Sequence, residues 1–186
     1  MSTANQTLVT RTLGARGDDL IVKIGLAVAG SILLAISAQL KVTIGPVPFT
    51  MQTLVLLILA ASFGRNLAVA TVVLYLVEGA VGLPVFTTPG ALFGPTAGFL
   101  IGFTPLAAIV GEAADRGLDR SPLTLAPAML IGEIVLFALG FIWLAQAIGV
   151  ERSWQAAVAP FIVPDLVKIA IAALLVSGGW ALLRRR

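Results

Sequence analysis

Six apolar runs, most of them near the length needed to cross a bilayer, constrain this chain more than any single motif. A helix covers the hydrocarbon core with roughly 20 apolar residues. Residues 20–40 form the first run, interrupted only by Lys23. Residues 50–63 form a second, shorter run closed by Gly64, Arg65 and Asn66, and 67–83 form the third. The fourth covers 96–114, the fifth 123–148 and the sixth about 156–183. In lipid each backbone N–H and C=O must find its partner inside the segment, which for runs of this length means helices. The expected fold is an all-α integral membrane protein, a bundle of six transmembrane helices.

Composition excludes the main alternatives. Only 11% of the 186 residues are charged and 59% are hydrophobic, whereas a soluble domain carries about a quarter charged residues. There is no Cys and no His, which removes disulfides, thiolate metal sites and Ser/His hydrolysis. The P-loop pattern GxxxxGK[ST] is absent, so ATP-driven work would need a motor on another chain. The basic residues sit at the ends of the apolar runs rather than in a nucleic-acid-binding patch, so the bilayer is the expected partner and nucleic acid is not. Arg11, Arg16, Lys23, Arg65, Arg116, Arg120 and residues 184–186 fall on one side, and Lys41 and Arg152 on the other. The positive-inside rule then puts the N- and C-termini in the cytoplasm. Residues 1–19, with Arg11, Arg16 and the pair Asp18 and Asp19, read as a polar cytoplasmic segment rather than a cleavable signal peptide.

Ionisable groups within a span are costly, about 2.5–3.5 kcal/mol each, and mark candidate sites. The candidates are Glu78, Glu112, Glu133, Asp165 and Lys168. Asp165 and Lys168, in PFIVPDLVK, are spaced i, i+3, which puts them on one helix face where they can pair or grip one ligand together. Pro164 suits a first helical position and places the pair near the outer end of span six. There the helix dipole favours Asp165 but not Lys168, which needs an anion from Asp165 or from a ligand. Glu78 lies near the outer end of span three, able to line the same cavity or to snorkel. Glu112 stands one turn before Arg116, the spacing of a structural ion pair. Glu133, two to three turns into span five, fits a helix–helix hydrogen bond or a partner contact better than a substrate role. Ala27, Ser31 and Ala35 recur every fourth residue, a stripe that suits close helix packing inside the bundle or docking of another membrane subunit. Gly98 and Gly102 suit internal packing. Tyr75 and Trp154 are placed as outer interfacial anchors, and Trp180 as an inner one.

Four segments in this order resemble the BioY family of biotin-binding S components of energy-coupling-factor (ECF) vitamin importers. They are GPVPFTMQTL in the first outer loop, LYLVEGAVGLPVF from Leu74, GPTAGFLIGF from Gly94 and PFIVPDLVK from Pro160. The resemblance covers most of the chain from Leu20 onward. It implies that residues 20–186 form a six-helix transmembrane substrate-binding domain in a prokaryotic plasma membrane. Biotin would be captured in an outward-facing pocket with no cofactor and no catalysis. A membrane-embedded T component and two ATPase subunits would supply the energy.

Within that resemblance Asp165 and Lys168 match the family's aspartate and lysine, and Thr50 and Gln52 match its lid. Thr87 and Thr88 are the polar groups of the loop between spans three and four, and Glu78 stays a candidate. The stripe of Ala27, Ser31 and Ala35 resembles the face that docks the T component. The residues taken alone also admit a self-sufficient proton-coupled transporter, or a membrane-embedded enzyme using carboxylates.

Overall fold

A computed structural model describes residues 7–43 and 45–184 of the protein. The first six residues of the N-terminal segment, Ile44 in the first loop and the last two arginines of the basic tail lie outside the described residues. The chain opens with a short helix α1 (Leu8–Leu13), whose first turn is capped by Thr7 accepting from Thr10 N–H. A 3-10 turn then leads into α2 (Leu20–Gln39).

Next comes a departure from the all-α expectation. The first loop folds into a two-stranded antiparallel ribbon, β1 (Lys41–Val42) against β2 (Phe49–Thr50), with Lys41 opposite Thr50. Pro46 and Pro48, which disfavour helix at the preceding residues, keep the intervening segment from continuing α2.

The remaining helices are α3 (Gln52–Phe63), α4 (Arg65–Ala80), α5 (Ala97–Asp115), α6 (Pro122–Ile148), α7 (Val150–Ala157) and α8 (Ile162–Arg184). Every apolar run thus carries a helix. Among the described residues, α2, α5, α6 and the stretch from α7 to α8 are long and apolar enough to span a membrane by themselves. With 12 and 16 residues, α3 and α4 are shorter. Run six differs in detail: α7 is a separate helix, and α8 begins at Ile162, ahead of Pro164. Pro164 still costs nothing, because N–H groups in a first turn have no intrahelical partner to lose.

The central element is α5, packed against α3, α4 and α6. Its close approach to α6 depends on glycine. A Cβ on Gly98 would meet the Leu139 carbonyl oxygen at 2.5 Å, and one on Gly140 would meet the Phe99 ring at 2.3 Å. Small residues let backbones touch where lipid supplies no hydrophobic drive for association. Outward, α2 shows Ile21, Ile24 and Ile36, α6 shows Ile131 and Ile134, and α8 shows Val163, Leu174 and Leu182, all exposed. A surface this apolar over most of the molecule suits hydrocarbon rather than water. The protein is a mostly helical membrane protein.

Candidate functional site

Asp165 sits in the first turn of α8, 3% exposed, and Lys168 stands one turn further on. Lys168 Nζ lies 2.7 Å from Asp165 Oδ1. It also donates to the Thr50 carbonyl oxygen at 2.9 Å and to Thr53 Oγ1 at 2.9 Å. An ammonium has three donors, so all three are committed. Thr53 Oγ1 donates to Asp165 Oδ1 at 3.2 Å, whereas Asp165 Oδ2 is buried with no hydrogen-bond partner. A lone unpartnered carboxylate oxygen in so dry a place is costly, and a ligand N–H would relieve it.

These groups line a partly open pocket among α3, α5, α6 and α8 with an interior of about 60 Å³, tighter than the usual small-molecule site and so in need of some widening to admit a ligand. Its polar side is Thr50, Gln52, Thr53, Thr87, Thr96, Asp165 and Lys168. Its walls are largely apolar, with Phe99, Phe103, Phe137 and Phe161 among them. Phe161 stacks on Phe49 of β2 with ring centroids 4.0 Å apart and planes 6° from parallel. The ribbon is thus pinned over the cavity by that stack and by the bond from Lys168 to Thr50. On its far side Lys41 Nζ donates to the Thr87 carbonyl oxygen, joining the ribbon to the loop between α4 and α5.

The structure brings Thr50, Gln52, Thr87, Asp165 and Lys168 to one cavity, and it does not bring Glu78 or Thr88 there. Glu78 Oε1 accepts from Ser31 Oγ at 3.0 Å, tying α4 to α2. Thr88 is exposed beside Thr87. Gln52 lines the cavity but gives its Nε2 donor to Tyr75 at 2.8 Å; Tyr75 in turn donates to the Val85 carbonyl oxygen. Tyr75 is therefore fully buried rather than an interfacial anchor, and Trp180, 6% exposed, departs from its anchor reading in the same way. A buried aromatic with a polar tip goes where its N–H or O–H finds a partner; for Trp180 that partner is Asp119.

The stripe on α2 also faces inward: Ser31 is fully buried and Ala27 nearly so, with Ala35 half-buried. Its burial favours packing within the bundle, while Gly25 and Ala29 on the neighbouring stripe stay exposed. Glu133 is buried, yet neither of its oxygens has a hydrogen-bond partner, so the anticipated helix–helix bond is not made. Sequence reasoning missed Thr53 and the aromatic walls. Thr53 stands 112 residues from Asp165 in the chain, and nothing local marks it as a partner.

A helical membrane bundle holding a small pocket, with an ion pair and an unpartnered acceptor on one wall, is a ligand-binding membrane protein. The BioY family model matches residues 6–185, and the chain belongs to the BioY family. It is 34% identical over 147 residues to the probable biotin transporter BioY of Pyrococcus horikoshii, covering 77% of this chain and 86% of that one. It is 31% identical over 160 residues to the biotin transporter BioY of Thermotoga maritima, covering 83% and 92%. The match to the biotin transporter BioY of Rhodobacter capsulatus is 37% over 145 residues, covering 69% and 76%. The fold is similar to the crystal structure of the S-component for biotin from an ECF-type ABC transporter. That comparison has a TM-score of 0.76 at 20% identity and covers 89% of this chain and 92% of the other.

Proposed function

We propose that this chain is the biotin-capturing S component of an ECF-type importer. The observation that carries the reading is the buried Asp165–Lys168 pair on an aromatic-walled pocket beneath the ribbon, with Asp165 Oδ2 lacking a donor. Biotin offers matching groups. Its ureido N–H can donate to Asp165 Oδ2, and its ureido oxygen or its carboxylate can take a donor from Lys168. Because the Lys168 donors are all in use, binding exchanges at least one of them, and the bond to the Thr50 carbonyl is the one that also holds the lid. Ligand capture and lid position are then coupled through one ammonium group.

In this reading six helices cross the membrane and both ends are cytoplasmic, with the protein multi-pass in a prokaryotic plasma membrane. At 1.5 Å per residue α3 reaches only about 18 Å, and the ribbon and lid above it fill the remaining depth. A T component and ATPase subunits supply the energy, since the chain has no P-loop of its own. The exposed Gly25 and Ala29 on α2 offer the close approach such a subunit would need.

The test is titration of the purified protein in nanodiscs with radiolabelled biotin, with riboflavin and thiamine as competitors. Saturable binding displaced by biotin alone is the expected result. A folded sample that binds no biotin would sink the assignment.

A further inference from the structure

A second, partly open pocket of about 420 Å³ lies between α6, α7 and α8, and it shares Phe137 and Asp165 with the first. Its lining is apolar, including Leu130, Phe141 and Ile169, except for Asp165 and Glu133. Glu133 is 3% exposed, and neither Oε1 nor Oε2 has a hydrogen-bond partner. Together with Asp165 Oδ2, this puts three buried acceptor oxygens without a donor on residues that line the second pocket, and Asp165 lines the first as well. Unpaired buried acceptors are rare in folded proteins, and each calls for an explanation. Packing alone does not supply one: an apolar residue at 133 would fill the same space without the desolvation cost.

We infer that Glu133 is a second ligand acceptor and a specificity-determining residue: Asp165 and Glu133 each take one of the two N–H donors of a cyclic urea. This rests on the biotin reading above and deepens it. A ureido group presents one acceptor oxygen and two N–H donors that diverge to either side. Lys168 supplies one donor, and Asp165 and Glu133 supply two acceptors. A site with two acceptors satisfies both N–H groups and rejects an analogue that lacks either one, because a buried acceptor is then left unpaired. Asp165 and Phe137 line both pockets, so the first pocket borders the one that Glu133 lines.

A chemical double-mutant cycle tests this. Binding of biotin and of its two mono-N-methyl ureido analogues is measured on the wild type and on Glu133→Leu. The wild type should bind biotin and lose at least about tenfold in affinity for either methylated analogue. Glu133→Leu should lose about tenfold for biotin, and for one analogue it should show no further loss, because that N–H no longer has an acceptor to meet. If both analogues instead lose the same factor on the variant as on the wild type, Glu133 makes no ligand contact and the inference is overturned.

If the Leu variant does not purify as a folded protein, Glu133→Gln carries the test. It keeps one acceptor oxygen, so biotin affinity should stay within about threefold. Iminobiotin, whose guanidinium head gains from a carboxylate partner, should lose about tenfold. Equal losses for biotin and iminobiotin would overturn the inference. A wild type that binds no biotin at all would instead mark failure of the underlying reading.

Discussion

Two buried aspartates meet α8 at opposite ends, and they are served differently. Asp165, in the first turn, has a cation at 2.7 Å, a hydroxyl at 3.2 Å and a cavity beside it. Asp119, in the 3-10 turn between α5 and α6, is fully buried; its Oδ2 accepts from Trp180 Nε1 near the other end of α8. Its backbone carbonyl accepts from Ser177 Oγ at 3.1 Å, and Arg120 lies over the Trp180 ring at 5.1 Å. No cavity described above touches Asp119. Each keeps one buried carboxylate oxygen without a hydrogen-bond partner, Asp165 Oδ2 and Asp119 Oδ1. Only that of Asp165 belongs to a residue lining a pocket, while Asp119 bolts a loop to a helix. Burial alone does not distinguish a site from a strut; the neighbouring cavity and the type of partner do.

The sharpest way to break this contrast is to remove Lys168. Lys168→Ala leaves Asp165 buried without its cation and frees the lid from the Thr50 carbonyl. Loss of one partner of a buried ion pair costs about 3–5 kcal/mol, so biotin binding should be lost and the melting temperature lowered. Asp165→Asn keeps the shape and should weaken binding by about 2 kcal/mol or more. Wild-type affinity in both folded variants, measured by titration, would remove the pair from the site.

Asp119→Ala probes the strut. It leaves the Trp180 N–H buried without an acceptor, which should destabilise the fold by about 1–3 kcal/mol. Biotin affinity should not change. A large loss of affinity with stability intact would show that the far end of α8 communicates with the cavity.

A smaller effect comes from pH. Burial pushes the Asp119 carboxyl from its ordinary 3.8 up to about 6, against the opposing bond from Trp180. Between about pH 4 and 6 the folded state keeps a proton that the unfolded chain has already released. Stability contributed by Asp119 therefore falls as pH rises through that window and is flat above it. The wild type should gain about 1 kcal/mol relative to Asp119→Asn on going from pH 7 to pH 5. Parallel pH profiles for the two proteins, followed by thermal denaturation, would contradict it.

What could be read from the sequence follows the range of the interaction. All six apolar runs carry helices because hydropathy acts on the segment itself. The Asp165–Lys168 pairing could be read because i, i+3 neighbours share a face wherever the helix goes. Glu78 could not be placed the same way: its partner Ser31 lies 47 residues away, and only the packing of α2 on α4 brings them together. Tyr75 and Trp180 look like belt residues until Gln52 and Asp119 arrive from elsewhere in the chain. The ribbon was hidden because its strands have two residues each, too few for alternation to show.

The smallest expected effect separates a visible ion-pair network from the contacts that hold its helices. Glu112 meets Arg116 at 2.8 Å and Arg65 at 3.4 Å, but the three side chains are 34%, 71% and 57% exposed. Water and salt screen such pairs, and ordering long side chains offsets much of the Coulomb gain. The α3–α4 corner is held to α5 by other means. A Cβ on Gly111 would lie 2.6 Å from the Arg65 backbone, and the Arg65 N–H donates to Asp115 Oδ2 at 3.0 Å. Glu112→Gln should therefore leave both the melting temperature and the biotin affinity within measurement error. A drop of several degrees would mean that the charges, rather than the glycine contact, keep that corner closed.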